Sequence, residues 1–137
     1  MSLLSGDWLE QSKALYDDGI IYYRAPRGNY RKQFRKLERK LGINFERVKR
    51  KKDAEILCDY SDLIGAAGLA RRYSNGTFRL STDPDYKGQH VEAHEIGHAL
   101  GLAHNYNEHS VLGPNSWDLN TDFLTHFDRQ NISNVFF

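Results

Sequence analysis

The feature that most constrains the fold is the segment HEIGHALGLAH at residues 94–104, because its spacing fixes where a helix can run and where it must stop. His94 and His98 are four residues apart, and side chains at that spacing project from the same face of an α-helix, about one turn apart. Gly101 follows, and glycine permits the left-handed turn that ends many helices. We therefore expect a helix at residues 91–102 that carries both imidazoles on one face.

The residue types on this face are those of a catalytic zinc site. Two imidazoles one turn apart can bind one Zn²⁺ at about 2.0–2.1 Å each. A turn at Gly101 would bring His104 back as a third ligand, and three neutral histidines leave the fourth position for water. Glu95 would lie beside the metal, where a carboxylate can take a proton from zinc-bound water and pass it to a leaving group. We therefore predict one catalytic zinc on His94, His98 and His104, with Glu95 as the catalytic residue.

His90 offers a rival ligand, because it lies one helical turn before His94 and extends the four-residue ladder. We prefer the set that ends at His104, since only that set accounts for Glu95 and Gly101 together. The other histidines, His109 and His126, are predicted to be surface residues.

Outside this segment, the hydrophobic pattern predicts two further helices and a short one. A capping box predicts a short helix at residues 7–19. An apolar stripe with four- and three-residue spacing predicts a longer helix at residues 29–42, closed by a glycine. A last helix is expected at about residues 122–135.

Strands are indicated by β-branched and aromatic runs between these helices. They are predicted at residues 20–24, 45–48, 54–58, 65–71 and 77–81. Asn75-Gly76 is a strong hairpin signal between the last two. This order of elements predicts an α+β domain with one sheet.

Composition limits the alternatives. The 137 residues give room for one domain, and 19 Lys and Arg against 18 Asp and Glu leave a formal charge of only +1. The single cysteine, Cys58, excludes an internal disulfide framework and a Cys-rich zinc finger, and we expect it to be a buried strand residue. The first ten residues have no basic segment followed by an apolar run, so no signal peptide is predicted, and no stretch is long enough for a membrane span.

Residues 91–104, VEAHEIGHALGLAH, resemble the zinc-binding signature of the metzincin metalloproteases, and most of all their matrixin branch, the matrix-metalloproteinase-type catalytic domains. The resemblance implies a zincin-like fold with one twisted, mostly parallel sheet of about five strands, an antiparallel edge strand, three main helices and the active-site helix at residues 91–102. It also implies a single catalytic domain at residues 1–137, with an upper part at about 1–103 and a lower part at about 104–137.

The same resemblance assigns roles at the margins of the site. The strand at residues 65–71 would pair with an extended peptide, and residues 90 and 114–117 would line the specificity pocket. The residues thus implied to bind substrate are His90, Gly68, Leu69, Ala70, Pro114, Asn115 and Trp117. Those implied to support the site are Gly101, Leu112 and Asp128.

The chain departs from the matrixin pattern at the turn beneath the metal. Leu112 occupies the position of the family's turn methionine, and the only methionine is Met1. Since a Leu-for-Met exchange nearly conserves volume, it costs under about 1.5 kcal/mol, and we expect the site to survive it. The His- and Asp-rich loop that holds the family's structural metals has no match, so no structural zinc or calcium site is predicted. No cysteine-switch pro-segment is predicted either.

Charge is concentrated in one segment. Residues 31–52 hold eleven Lys and Arg against two Glu, a local charge of +9 that a charge of −8 elsewhere cancels. We expect a solvated helix face there, and a patch for an anionic partner such as nucleic acid is the less favoured alternative.

Together these features predict a monomeric zinc endopeptidase acting on a peptide or protein substrate. Two alternatives remain: a catalytically weak zinc-containing module that binds peptides, and a protease recruited to nucleic acid or another anionic partner through residues 31–52. The family resemblance suggests secretion, whereas the chain itself indicates a cytoplasmic protein or one whose leader has been removed.

Overall fold

A computed structural model describes residues 6–25, 29–86, 91–102 and 126–136. Within these ranges the chain forms four α-helices, five strands and two short 3₁₀ turns. The helices are α1 (Gly6–Ala14), α2 (Asn29–Leu41), α3 (Val91–Ala99) and α4 (His126–Phe136). The strands are β1 (Ile21–Arg24), β2 (Phe45–Arg47), β3 (Ile56–Tyr60), β4 (Gly68–Arg72) and β5 (Phe78–Thr82).

The five strands form one mixed sheet in the order β2-β1-β3-β5-β4. β1, β2, β3 and β5 run parallel to one another. β4 pairs antiparallel with β5, with Gly68 opposite Thr82 and Arg72 opposite Phe78. The α+β class, the five-stranded sheet and the antiparallel edge strand are therefore confirmed, and the Asn75-Gly76 hairpin joins β4 to β5 as predicted.

Two strands begin two or three residues later than the sequence predicted. β3 starts at Ile56 instead of residue 54, because Lys51–Asp53 forms a 3₁₀ turn in which Ala54 N donates to Lys51 O over 3.2 Å. β4 starts at Gly68 instead of residue 65, because Gly65 has a φ of +78°, which is incompatible with an extended strand. Both shifts come from local turns that the hydrophobic pattern does not record.

The helix predictions were also wrong in detail. The short first helix ends at Ala14 rather than near residue 19, since successive tight turns follow it, and α3 ends at Ala99 rather than at residue 102. The number of helices agrees with the prediction, since the described residues hold the short first helix α1 and three further helices, α2, α3 and α4. The predicted start of the last helix, at residues 122–125, lies outside the described residues.

The core lies between the sheet and helices α2 and α3. The apolar stripe of α2 is buried as predicted at Tyr30, Phe34 and Leu37, and the helix stops before Gly42, whose φ is +70°. Phe34 stacks on Tyr23 of β1 with the ring centroids 4.0 Å apart. The basic residues of α2 lie on the opposite, solvated side, which confirms the predicted division of this helix into two faces.

Cys58 is buried in β3, as expected of a small apolar strand residue, and its burial raises the pKa of the thiol. Ile132 and Val135 of α4 are buried as well. Among the described residues, no helix is long and apolar enough to cross a membrane.

Candidate metal centre and active site

Helix α3 carries the predicted metal ligands and lies against the two strands at one side of the sheet, β4 and β5. Its residues are nearly all buried, including three ionisable ones: Glu92 is 1% exposed, His94 is 3% exposed and Glu95 is 5% exposed. Polar groups are rarely buried without partners, because removing them from water is costly. A buried histidine beside a buried glutamate therefore needs a structural or chemical explanation.

The two histidines of α3 meet at one pair of nitrogen atoms. His94 Nε2 and His98 Nε2 are 3.1 Å apart, and the two rings meet edge to face with centroids 4.7 Å apart. His98 Nδ1 lies 2.7 Å from the carbonyl oxygen of Leu102. Because a carbonyl only accepts hydrogen bonds, Nδ1 carries the proton and Nε2 of His98 presents a lone pair toward His94.

This geometry fits a zinc ion. Two nitrogens that each lie about 2.0–2.1 Å from a tetrahedral Zn²⁺ are about 3.3 Å apart. The observed separation of 3.1 Å is close to that value. The hydrogen bond from His98 to a backbone carbonyl is also the outer contact that metal-bound histidines usually make, since it fixes the tautomer and the ring orientation.

The turn at Gly101 creates the carbonyl that orients His98. Gly101 has a φ of +99°, its N–H donates to His98 O over 3.0 Å, and Leu102 N donates to Gly97 O over 2.9 Å. These two bonds define a Schellman turn, which ends the helix and satisfies two of its last carbonyls. The predicted left-handed glycine is therefore confirmed, and the same turn positions Leu102 O against the His98 ring.

Replacing Gly101 with alanine tests this coupling. We expect a loss of about 1–2 kcal/mol in the free energy of unfolding, because a Cβ is strained at positive φ. The new atom would also lie 3.1 Å from Leu9 Cδ1. Zinc affinity should fall about tenfold, since the Leu102 carbonyl would no longer hold the His98 ring. Calorimetric titration with Zn²⁺ and chemical denaturation measure the two effects.

Gly76 provides the matched control. Its φ is +94°, similar to that of Gly101, but no atom lies within 4 Å of the Cβ that an alanine would add. Gly76→Ala should therefore show comparable backbone strain and unchanged zinc affinity. Equal zinc affinities for the Gly101→Ala and Gly76→Ala proteins would contradict the coupling.

Glu95 follows His94 and is enclosed between α3 and the edge strand. Burial raises the pKa of its carboxyl to about 8, because desolvation disfavours the charged form. A cation held by His94 and His98 would favour the carboxylate and oppose this shift. A carboxyl with a pKa near neutrality is suited to accepting a proton and returning it.

Gly68 brings the edge strand unusually close to this carboxyl. A Cβ built on Gly68 would lie 2.5 Å from Glu95 Oε2 and 2.6 Å from Val91 Cγ1. No side chain fits there unless the side chains of Glu95 and Val91, or α3 and β4 themselves, move, so the glycine permits this close approach of strand and helix. The resemblance had assigned Gly68 to substrate binding, and its contact with Glu95 is a feature that no sequence pattern indicated.

Helix α1 covers the end of α3, and sequence reasoning missed this contact. Trp8 Nε1 donates to His98 O over 2.7 Å, and Ser12 Oγ donates to Ala99 O over 2.9 Å. His98 O thus accepts from Trp8 as well as from Gly101 N, and the Ser12 bond supplies a partner to Ala99 O at the end of α3. The partners are about ninety residues apart in the sequence, and no local motif connects them.

A second buried carboxylate on α3, also unanticipated, ties the helix to the middle of the sheet. Glu92 is buried and accepts a hydrogen bond of 3.0 Å from the hydroxyl of Tyr60 at the end of β3. Burial, and then the negative charge of Glu92, raise the pKa of Tyr60, so the phenol keeps its proton and remains a donor. This bond holds α3 in register with β3.

Several predicted residues cannot be placed. Six of them lie outside the described residues. They are the proposed third ligand His104, the rival ligand His90, Leu112 at the methionine position, and the pocket residues Pro114, Asn115 and Trp117. The backbone of Asp128 belongs to α4, but its side chain is not described. Within residues 6–25, 29–86, 91–102 and 126–136, no group of three or more His, Cys, Asp or Glu residues could hold a metal. The described residues bring together two of the three predicted ligands, His94 and His98.

The edge strand itself lies where the substrate strand was predicted. β4 is the last strand of the sheet, with β5 on its inner side. Ala70 packs against the core, and Leu69 pairs with Ser81 of β5. In the part of the chain that the structure describes, the outer edge of β4 pairs with no other strand.

Comparison with known proteins agrees with a matrixin-like chain. Residues 72–137, a little under half of the sequence, match the family described as Matrixin, which supports a metallopeptidase-type protein at this general level. No curated protein matches the chain. Among solved structures, it is similar to a chain of the "GM1 bound form of the ECX AB5 holotoxin", with a TM-score of 0.60 and 17% identity over 90% of this chain and 80% of that one. At that identity, the likeness concerns the fold alone.

Proposed function

We propose that this protein is a zinc-dependent endopeptidase. The observation that carries the proposal is the 3.1 Å approach of His94 Nε2 to His98 Nε2, with Glu95 buried at the next position along the helix. The Matrixin match over residues 72–137, which include this segment, supports the same reaction class.

His94, His98 and His104 would hold the metal. The bond from His98 Nδ1 to Leu102 O leaves Nε2 of His98 available as a ligand. When bound, Zn²⁺ supplies Lewis-acid chemistry, which polarises a carbonyl oxygen and lowers the pKa of a water molecule. Three protein ligands leave a position open for this chemistry, whereas a structural site would be closed by a fourth.

Glu95 would move the proton. Its carboxylate accepts a proton from the attacking water as the new C–O bond forms, and it then donates that proton to the amine as the C–N bond breaks. The products are a carboxylate and an amine, and the proton count balances without a covalent intermediate. The buried position of Glu95 strengthens its electrostatic interactions, because little water screens it.

The peptide would bind as an added strand along β4. An exposed strand edge offers unpaired N–H and C=O groups to an extended peptide. Gly68 supports this placement, because β4 passes within contact distance of Glu95 at this residue. A peptide laid along Gly68, Leu69 and Ala70 would therefore bring its backbone close to the proton-transfer group.

The proposal is tested by zinc stoichiometry together with cleavage of a peptide library, for the wild type and for Glu95→Gln. The wild type should bind one zinc per chain and cleave internal peptide bonds. Glu95→Gln should keep the zinc and lose about 10²–10⁴-fold in kcat/KM, since it removes the general base but no ligand. Glu46→Gln, at an exposed glutamate of β2, is the control and should cleave normally.

Full activity in the Glu95→Gln protein would overturn the mechanism. A wild type that binds one zinc and binds peptides without turnover would instead indicate the zinc-containing peptide-binding module. Absence of zinc binding would overturn both.

A further inference from the structure

Four cationic side chains surround one cleft on the side of the molecule opposite the edge strand. The cleft has a volume of about 200 Å³ and is lined by Arg24, Ala25, Arg31, Arg47, Val48 and Lys49. All but Arg24 and Ala25 belong to the basic segment of residues 31–52. No acidic residue lines the cleft within the part of the chain that is described.

The topology of the sheet places these cations together. β1 and β2 are parallel neighbours, so their carboxyl ends lie at the same edge of the sheet. Arg24 is the last residue of β1, and Arg47 is the last residue of β2. A bond of 2.8 Å from Val48 N to Tyr23 O continues the pairing and keeps the two strand ends together. Arg31 enters from the first turn of α2.

Two of the arginines are held in place by the backbone. Arg24 Nε donates to Lys49 O over 3.1 Å, and Arg31 Nε donates to Ala25 O over 2.6 Å. The bond of Arg24 uses Nε only, so the N–H groups of its two Nη atoms can still donate to other acceptors. Since the side chain is already ordered, a ligand would lose less entropy in ordering it.

Two nearby carboxylates are engaged elsewhere, and Glu46, which precedes Arg47, does not line the cleft. Glu38 accepts a hydrogen bond from Phe45 N, and Asp53 pairs with Arg50. In the described ranges, no carboxylate forms an ion pair with Arg24, Arg47 or Lys49. Like charges this close repel each other, and a bound anion would remove that repulsion.

We propose that this cleft binds a tetrahedral oxyanion, namely a phosphate or sulfate group. Arginine favours such groups because its planar fork matches two oxygens at once. Water occupies about 30 Å³ per molecule, so a cleft of about 200 Å³ holds one such group with part of its hydration shell. The inference is independent of the peptidase proposal, because the cleft includes none of the residues of the metal site.

The group has two potential sources: a free ion or a phosphate in a longer chain. The exposed face of α2 continues the positive surface beyond the cleft with Lys32, Arg35 and Arg39. A ligand with linked phosphates would reach this face, whereas a single phosphate would not. The local charge of +9 would attract either source.

The test is to titrate the protein with inorganic phosphate and, separately, with sulfate, and to monitor binding by NMR of the backbone amides. Chloride keeps the ionic strength constant throughout the titration. Binding should saturate, and the largest shifts should lie at residues 24–25 and 47–49. The double variant Arg47→Gln/Lys49→Gln should weaken binding at least tenfold. The control Arg39→Gln/Lys40→Gln removes the same charge from the exposed face of α2 and should change binding less than twofold.

Equal weakening in the two double variants, or shifts that do not saturate, would overturn the proposal, because diffuse charge alone would then explain the binding. Tripolyphosphate distinguishes the sources. If its affinity exceeds that of phosphate, and Arg39→Gln/Lys40→Gln removes the gain, the cleft serves a chain of linked phosphates. Equal affinities assign the cleft to a single group. Thermal unfolding of all variants checks that the fold is retained.

Discussion

Replacement of Gly68 by valine is expected to reduce peptide cleavage at least 100-fold and to lower the free energy of unfolding by about 1–3 kcal/mol. The first added atom would already meet Glu95 Oε2 at 2.5 Å and Val91 Cγ1 at 2.6 Å. Both atoms belong to buried side chains of α3, so the Glu95 carboxylate, the Val91 side chain or the elements that carry them must shift. A displacement of about 1 Å at the proposed proton-transfer carboxylate, Glu95, is enough for a loss of this size.

The measurement is kcat/KM on a cleaved library peptide, with zinc content and denaturation curves for each variant. Gly68→Ala should show a smaller loss than Gly68→Val, because it adds less volume. Arg71→Val, at an exposed position of the same strand, is the control for changes in strand propensity. If Gly68→Val cleaves as well as Arg71→Val, then the close approach of β4 to Glu95 has no role in catalysis.

Replacement of Trp8 by alanine is expected to lower the free energy of unfolding by about 3 kcal/mol and to weaken zinc binding about tenfold. The indole packs against Phe78 with ring centroids 5.5 Å apart and donates to His98 O. Its loss would remove both the packing and the hydrogen bond at the end of α3, at His98, a proposed metal ligand. Urea denaturation and zinc titration measure the two effects.

Two variants separate the packing from the hydrogen bond. Trp8→Phe keeps an aromatic ring but has no N–H, so it should cost about 1 kcal/mol and retain most of the zinc affinity. Gln11→Ala removes contacts of the same helix with Thr77 and Arg72, away from α3, and should leave zinc binding unchanged. Equal zinc affinity in the Trp8→Ala and Gln11→Ala proteins would show that α1 does not support the metal site.

The sequence predicted most of the secondary structure, because periodicity and glycine signals are local. The stripe at Tyr30, Phe34 and Leu37 indicated α2, and Asn75-Gly76 indicated the β4–β5 hairpin. The strand boundaries were less accurate. Gly65 and the turn at Lys51–Asp53 delay β4 and β3, and no hydrophobic pattern distinguishes such a turn from the start of a strand.

For the candidate site, the spacing of His94 and His98 was sufficient to predict that their imidazoles share one face. Helical geometry alone determines this, and the observed approach of the two Nε2 atoms agrees with it. The burial of Glu95, however, depends on β4, and that strand is brought onto the helix by sheet pairing. A local pattern contains no information about that distance.

The sequence by itself therefore determined the elements whose causes lie within a few residues: the helix with its two histidines, the left-handed stop at Gly101, and the concentration of positive charge at residues 31–52. The tertiary structure decided what surrounds them. It placed Gly68 against Glu95, Trp8 and Ser12 against the end of α3, and four cations around one cleft. The physical reason is that these contacts join residues far apart in the chain, and only the packing of the sheet and helices fixes their distances.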